Sequence, residues 1–430
     1  HHRQATPVLS WRCTISAVLA VVLLVWAGLN LIFASDPNTF TTILSNGKQN
    51  IRGSTSLLTP GGGAVATVVS REAATVATGS AHTSTQPDTP PSKKKKVAYA
   101  VTVTRDGPFV DGALVLGYGA RKVHDSKFGY PDDYDVDLVA FVVPSVVKAR
   151  PILTAHGWRV LERKLPVELD EIENRVYAEK MRNSGCCGAD EFLKLWAYTL
   201  TEYERVVHLD MDSIVFENMD ELYRMDYELI HTHDYNMGTK PVPPVQGGFL
   251  VIRPSMDTFK EFQGIIRKGD YGAAGWGGTH VGKFWGGQTI QGILPYYYYK
   301  LHPGRGFEVN RCVYNCMVDN PYRPYKSETA KKICLNGEET CDDCRAQNAK
   351  DVKSAHFTIC QKPWTCTLHN NPRNKDLCME LHAQWFQLRY EYEAALGINQ
   401  AYAAQPTRFK ASLGYCKGYG DNKYLPIPAV

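Results

Sequence analysis

Asp210 and Asp212 lie in the segment RVVHLDMDSIVF (Arg205–Phe216), one residue apart and directly after an apolar run. A strand that runs into two acids sets them at its carboxyl end, which is where open α/β sheets place their ligands. Two close carboxylates there suit a hard divalent cation, because Mg²⁺ and Mn²⁺ prefer oxygen and commonly bridge protein carboxylates to a diphosphate. That is the chemistry of a nucleotide-sugar site; the plainer alternative is a strand-end turn whose acids face water. Asp133, Asp135 and Asp137 repeat the spacing, but they precede the apolar run Leu138–Val143 and read as a solvated turn.

The elements that must position such a pair follow from hydrophobic periodicity. Val97–Thr104 reads as a strand, Val110–Val123 as a helix, Leu138–Val143 as a strand and Pro144–His156 as a helix. Alternation of this kind predicts an α/β fold with a mainly parallel sheet flanked by helices. Asp190 reads as the cap of a helix through Leu200, which feeds the strand Arg205–Leu209 and so Asp210. Asn218 with Glu221 resembles a capping box that opens a short helix, Met219–Tyr223. Gln246–Ile252 reads as a strand, Ser255–Arg267 as the helix after it, and Asp376–Leu396 as a long amphipathic helix. The glycine-rich stretch Gly264–Gly292, with Trp276 and Trp285, is either a platform for a sugar ring or a loop that packs two tryptophans.

The chain has 430 residues, and its net charge of +4 argues for no nucleic-acid partner. Thr14–Phe33 is an uncharged apolar run of the length a helix needs to cross a bilayer. A cleaved signal peptide is the competing reading, kept open by Ala34 and Ser35. Arg3 and Arg12 precede the run and Asp36 follows it, so the positive-inside bias leaves residues 1–13 cytosolic and the bulk lumenal, as in a Golgi membrane protein of type II. Residues 34–96 have the Ser, Thr, Ala, Gly and Pro composition of a disordered stem, 97–400 form the expected domain, and 401–430 a tail. Twelve cysteines, seven of them between Cys312 and Cys366, fit disulfides stapling an insert in an oxidising compartment. Setting aside Cys13 leaves an odd number, so at least one thiol stays unpaired. A zinc site built on Cys334, Cys341, Cys344 and Cys360 is the alternative.

Three separated stretches carry a resemblance to a known family. VTVTRDGPFVDGALVLG (Val101–Gly117), KLWAYTLTEYERVVHLDMDSIVFENMDELY (Lys194–Tyr223) and HFTICQKPW (His356–Trp364) resemble, in that order, motifs of glycosyltransferase family 8, the group of glycogenin, galactosyltransferases and plant glucuronosyltransferases. The likeness spans roughly Val97–Trp364. It implies a GT-A type nucleotide-sugar-binding fold and retaining transfer of a hexose or hexuronic acid from a UDP-sugar to a lumenal glycan, polysaccharide or glycolipid. It implies Mn²⁺, with Mg²⁺ as the substitute. Asp210 would serve the ribose and the metal, with Asp212 and His356 coordinating directly. Thr104 and Phe109 would contact uridine, Met211, Gly248 and Trp364 would join the nucleotide site, and Lys362 would hold a diphosphate oxygen. Lys194 and Gln291 would lie at the donor sugar.

Four departures limit what the family pattern transfers. Phe109 stands for a tyrosine, which keeps stacking and drops a hydroxyl. Gln246-Gly247-Gly248 replaces Asn-Ser-Gly, Ile290 replaces an aspartate that the family uses near the transferred sugar, and Ile359 replaces a glycine. Ile290 motivates a second reading, a catalytically lapsed carbohydrate-binding protein that kept the fold. A nucleotidyltransferase would share the metal carboxylates but normally carries a basic glycine-rich triphosphate loop after its first strand, and none is present.

Overall fold

The computed structural model describes residues 94–183, 188–324, 331–367, 372–398, 410–418 and 420–428. The expected cytosolic tail, the membrane span Thr14–Phe33 and nearly all of the stem lie outside the described residues. Among the described residues no helix is long and apolar enough to cross a membrane.

Among the described residues there are eleven strands: β1 (Lys95–Val103), β2 (Tyr134–Val142), β3 (Trp158–Glu162), β4 (Arg205–Leu209), β5 (Ser213–Val215), β6 (Leu229–His233), β7 (Val245–Ile252), β8 (Tyr271–Gly272), β9 (Gly275–Trp276), β10 (Gly306–Glu308) and β11 (Ser354–His356). Seven of them form one sheet in the order β10-β6-β7-β4-β1-β2-β3. Its pairs are parallel except where β7 runs antiparallel to β4 and β6. The sheet is therefore mixed and mainly parallel. β1 shows why: Val97, Tyr99, Val101 and Val103 belong to the core on one face, while Ala98 and Ala100 belong to the core on the other. A strand covered on both faces reads as a continuous apolar run, as VAYAVTV does.

The helices are α1 (Phe109–Lys122), α2 (Ala149–Ala155), α3 (Arg175–Arg182), α4 (Asp220–Tyr223), α5 (Met256–Lys268), α6 (Ile290–Tyr296), α7 (Arg311–Tyr314) and α8 (Pro372–Ala395). Three local expectations are corrected. The helix expected from Asp190 to Leu200 forms as 3₁₀ turns over Ala189–Thr199, preceded by Gly188 with no side-chain cap. The helix expected over Pro144–His156 is only α2, because the Asp106 carboxylate accepts the amides of Lys148 (3.0 Å) and Ala149 (2.9 Å) and so caps it from a distant loop. The capping box at Asn218 does not form. Asn218 Oδ1 accepts the Asp220 amide at 2.8 Å, whereas Glu221 takes the Tyr314 hydroxyl at 2.8 Å and the Lys353 ammonium.

Among the described residues four disulfides join Cys312–Cys344, Cys334–Cys341, Cys360–Cys378 and Cys366–Cys416. All four cysteines of the zinc alternative are consumed by them. Cys316 is a free, buried thiol. Within 401–430, the described segments pack onto the domain: the Tyr424 hydroxyl and the Ile427 amide each donate to Asp111 Oδ2 on α1 at 2.8 Å.

Candidate metal and nucleotide site

β4 delivers Asp210 to the carboxyl end of the sheet, and the Asp210 amide donates to Gly248 O on the neighbouring β7 at 3.2 Å. The chain then turns through Met211 and Asp212 into β5. This short strand pairs antiparallel with β11, with His356 opposite Ser213. The Phe357 amide donates to Asp212 O at 2.8 Å and the His356 amide to Cys316 O at 3.0 Å. A two-strand ladder thus carries a histidine from far along the chain onto the acidic pair. His356 Nε2 lies 3.3 Å from Asp212 Oδ1 and 3.9 Å from Asp210 Oδ2. One ligand atom from each of the three residues falls within 4.8 Å of the others.

Two lysines complete the cluster. Lys194 Nζ, buried, lies 2.8 Å from Asp210 Oδ1 and 2.9 Å from Glu191 Oε2, and it donates to Gly247 O at 3.2 Å. Lys362 Nζ lies 2.8 Å from Asp212 Oδ2. Burial by itself pushes both aspartates towards the protonated form. Lys194 and His356 overcome it at Asp210, and His356 with Lys362 at Asp212, so both carboxyls fall below the usual carboxylate range. Burial opposes charge on His356 and Lys194 as well, yet the facing acids raise the pKa of each. His208, behind them on β4, is driven down to about 3 by burial and by Lys194, and shares a 2.8 Å hydrogen bond with Thr102 Oγ1. It is a neutral prop.

The donor set fits a divalent cation. Two carboxylates and one imidazole are the oxygen-rich, borderline ligands that Mn²⁺ accepts. Buried His356 Nδ1 has no hydrogen-bond partner, so the ring is not committed elsewhere through that nitrogen. Gly248 leaves the space, since a Cβ there would sit 2.5 Å from His356 Cε1 and 2.8 Å from Asp210 Oδ2.

Beside the cluster opens a cavity of about 570 Å³ whose lining includes Thr104, Arg105, Phe109, Asp190, Glu191 and Met211. Thr104, Phe109 and Met211, which the family resemblance assigns to the nucleotide, share this lining. The Arg105 guanidinium lies over the Phe109 ring at 5.2 Å. Trp364, expected at the nucleotide, is buried outside the cavity lining; it meets Phe109 edge-on at 5.4 Å between ring centres and packs on Trp385 at 6.0 Å. Gly248, Gln291 and Lys362 also lie outside the cavity lining. Gln291 is half-buried in α6, next to Ile290, which is fully buried. Lys194, weighed against a solvated helix lysine, is held within the acidic cluster. Sequence reasoning missed Glu191 and Arg105. Glu191 carried one signal, its place three residues before Lys194 on a helical pattern.

No family model matches the chain. It is 28% identical over 177 residues to inositol phosphorylceramide glucuronosyltransferase 1 of Arabidopsis thaliana, covering 40% of this chain and 29% of that protein. It is 30% identical over 135 residues to galactinol synthase 1 of Solanum lycopersicum (31% and 37%) and 24% identical over 162 residues to glycogenin-2 of Homo sapiens (37% and 28%). The chain thus spans about a third of the length of the curated relatives it matches. These relatives are members of glycosyltransferase family 8. Among solved structures, LgtC aligns over 69% of this chain and 95% of its own at 14% identity with a TM-score of 0.39. Mouse xyloside xylosyltransferase 1 aligns over 61% and 98% at 12% identity with a TM-score of 0.38.

Proposed function

We propose that this chain, whose curated relatives are family 8 glycosyltransferases, moves a hexose or hexuronic acid from a UDP-sugar to a glycan, polysaccharide or glycolipid with retention at the anomeric carbon. The observation that carries the reading is the meeting of Asp210, Asp212 and His356 from two distant segments within 4.8 Å, beside a cavity that Phe109 helps to line. Bound Mn²⁺ would supply positive charge against the diphosphate of the leaving UDP. The chain's own residues do the rest. Phe109, wedged by Trp364, offers a face to the uracil. Lys362, paired with Asp212, is close enough to follow a phosphate oxygen, and Lys194 holds the Asp210 carboxylate in one orientation. None of these groups needs to form a covalent bond to the sugar.

The disulfide-rich domain and the apolar run at Thr14–Phe33 support a single-span anchor in the Golgi membrane with the catalytic part in the lumen. The test is release of UDP from UDP-glucose, UDP-galactose or UDP-glucuronate by the full chain with and without Mn²⁺. Asp212→Ala is expected to lower turnover by roughly 10²–10³-fold, the scale of removing one preorganised electrostatic contact; an Asp212→Ala protein as active as wild type sinks the proposal. The buried aliphatic Ile290 favours the second reading, a lapsed carbohydrate-binding protein, which predicts UDP binding by calorimetry with no donor ever turned over.

A further inference from the structure

We infer that Glu191 is a donor-sugar ligand, its carboxylate accepting hydroxyl hydrogen bonds from the hexose that the diphosphate carries. The inference rests on the proposed UDP-sugar site and names the residue that reads the sugar within it. A sugar joined to a diphosphate at Asp210, Asp212 and His356 has to lie beside that cluster. Glu191 borders that space. Its Oε2 sits 2.9 Å from Lys194 Nζ, which in turn sits 2.8 Å from Asp210 Oδ1. Its side chain is 27% exposed and lines the cavity that Phe109 and Met211 also line.

The surroundings of Gly247 on β7 show what else reaches this point. A Cβ built there would meet Ile290 Cγ2 at 2.8 Å, Lys194 Nζ at 3.3 Å and Glu191 Oε2 at 3.8 Å. Ile290 is fully buried and has no polar atom to offer. Lys194 can only donate, and it already spans Asp210, Glu191 and Gly247 O. Sugar hydroxyls need acceptors as well as donors, and an ionised carboxylate carries two oxygens with about four lone-pair sites, so one bond to Lys194 leaves capacity for a pair of hydroxyls. Held by Lys194 three residues away, that carboxylate is oriented before the sugar arrives.

The bland reading is that Glu191 only balances the charge of Lys194. The two differ in what they do to UDP, which lacks the transferred hexose. The measurement is the affinity of the full chain, with Mn²⁺, for UDP and for UDP-glucose, UDP-galactose and UDP-glucuronate, in wild type, Glu191→Gln and Glu191→Ala. A lost hydrogen bond to a charged group is worth roughly 10- to 100-fold. Glu191→Ala is expected to lower affinity and kcat/KM for the accepted donor by that factor while UDP affinity is kept, with Glu191→Gln between. A deoxy donor lacking the contacted hydroxyl is expected to lose nothing further in Glu191→Ala. An equal loss for UDP and UDP-sugar, or an unchanged ratio of the two affinities, overturns the inference. A wild-type chain that binds UDP-sugars but never turns them over refutes the proposed function alone, because the affinity ratio still reads Glu191.

Discussion

At the scale of single residues, the acidic cluster depends on a side chain that is missing. Gly248 stands so close to His356 and Asp210 that any Cβ must displace one of them, the nearest contact being 2.5 Å. Gly248→Ala is expected to weaken Mn²⁺ binding by about tenfold or more, within the range for disturbing groups that orient metal ligands, while the fold is kept; titration calorimetry with Mn²⁺ alone, alongside circular dichroism, checks it. Asp234 poses a different problem. Burial first, then the nearby Asp319, push its carboxyl up to about 6 from 3.8. A raised acid pKa means that the folded state holds a proton the unfolded chain has released. Its effect is therefore absent below about pH 4, grows as pH rises towards 6, and remains as a constant cost above that. Asp234→Asn is expected to stabilise the domain by about 1–2 kcal/mol at pH 7.5, allowing for screening at a half-buried site. Thermal melts at pH 4 and 7.5 test this, since the gain should vanish at the lower pH.

At the scale of elements, α1 and the β5–β11 ladder fix the site between them. α1 approaches the turn after β4 so closely that a Cβ at Gly112 would lie 2.3 Å from Met211 O and 2.5 Å from the Trp364 ring. Gly112→Ala would force α1, the metal turn and the Phe109 support apart, at about 1–3 kcal/mol for overpacking. Urea denaturation should show that loss together with reduced UDP affinity; an unchanged UDP affinity would mean that α1 does not position the nucleotide site. The elements were also where local rules ran out. Helix α2 begins where Asp106, from another loop, takes its first amides, so no cap next to it in sequence marks its start. Asn218 and Glu221 have the spacing of a capping box, but Tyr314 and Lys353 compete for the glutamate and win.

At the scale of the whole molecule, the described C-terminal segments are held by Cys366–Cys416, by the Asp111 contacts to Tyr424 and Ile427, and by the Tyr415 hydroxyl on Glu393. Cys366→Ser with Cys416→Ser is expected to cost about 2–4 kcal/mol of stability, read from the denaturant midpoint. Acid should act on buried imidazoles. Burial lowers His124 and His382 to about 4 and His208 to about 3, from 6.5. A depressed histidine pKa contributes stability that is fully present above pH 6.5 and lost as pH falls towards the folded value. These groups together should take up about two to three protons on unfolding at pH 5, and His208→Gln should remove about one of them, measured by calorimetry in buffers of different ionisation heat.

What the sequence by itself determined was whatever depends on neighbours in the chain. The apolar run into Asp210 and Asp212 and the alternation of strands and helices could be read along the chain, because burial and strand geometry impose short periods; the disulfide-rich insert followed from the clustering of cysteines, and the roles of His356 and Lys362 only from the resemblance to a known family. Only the tertiary structure decided which distant side chains share a point in space. It carried His356, which the family resemblance had already implied as a ligand, onto the acid pair through the pairing of β11 with β5, set the Trp364 ring edge-on against Phe109, and brought the Lys194–Glu191 pair up to Gly247 on β7. Contacts of that kind arise from strand pairing and packing between segments far apart in sequence, and no local pattern encodes them.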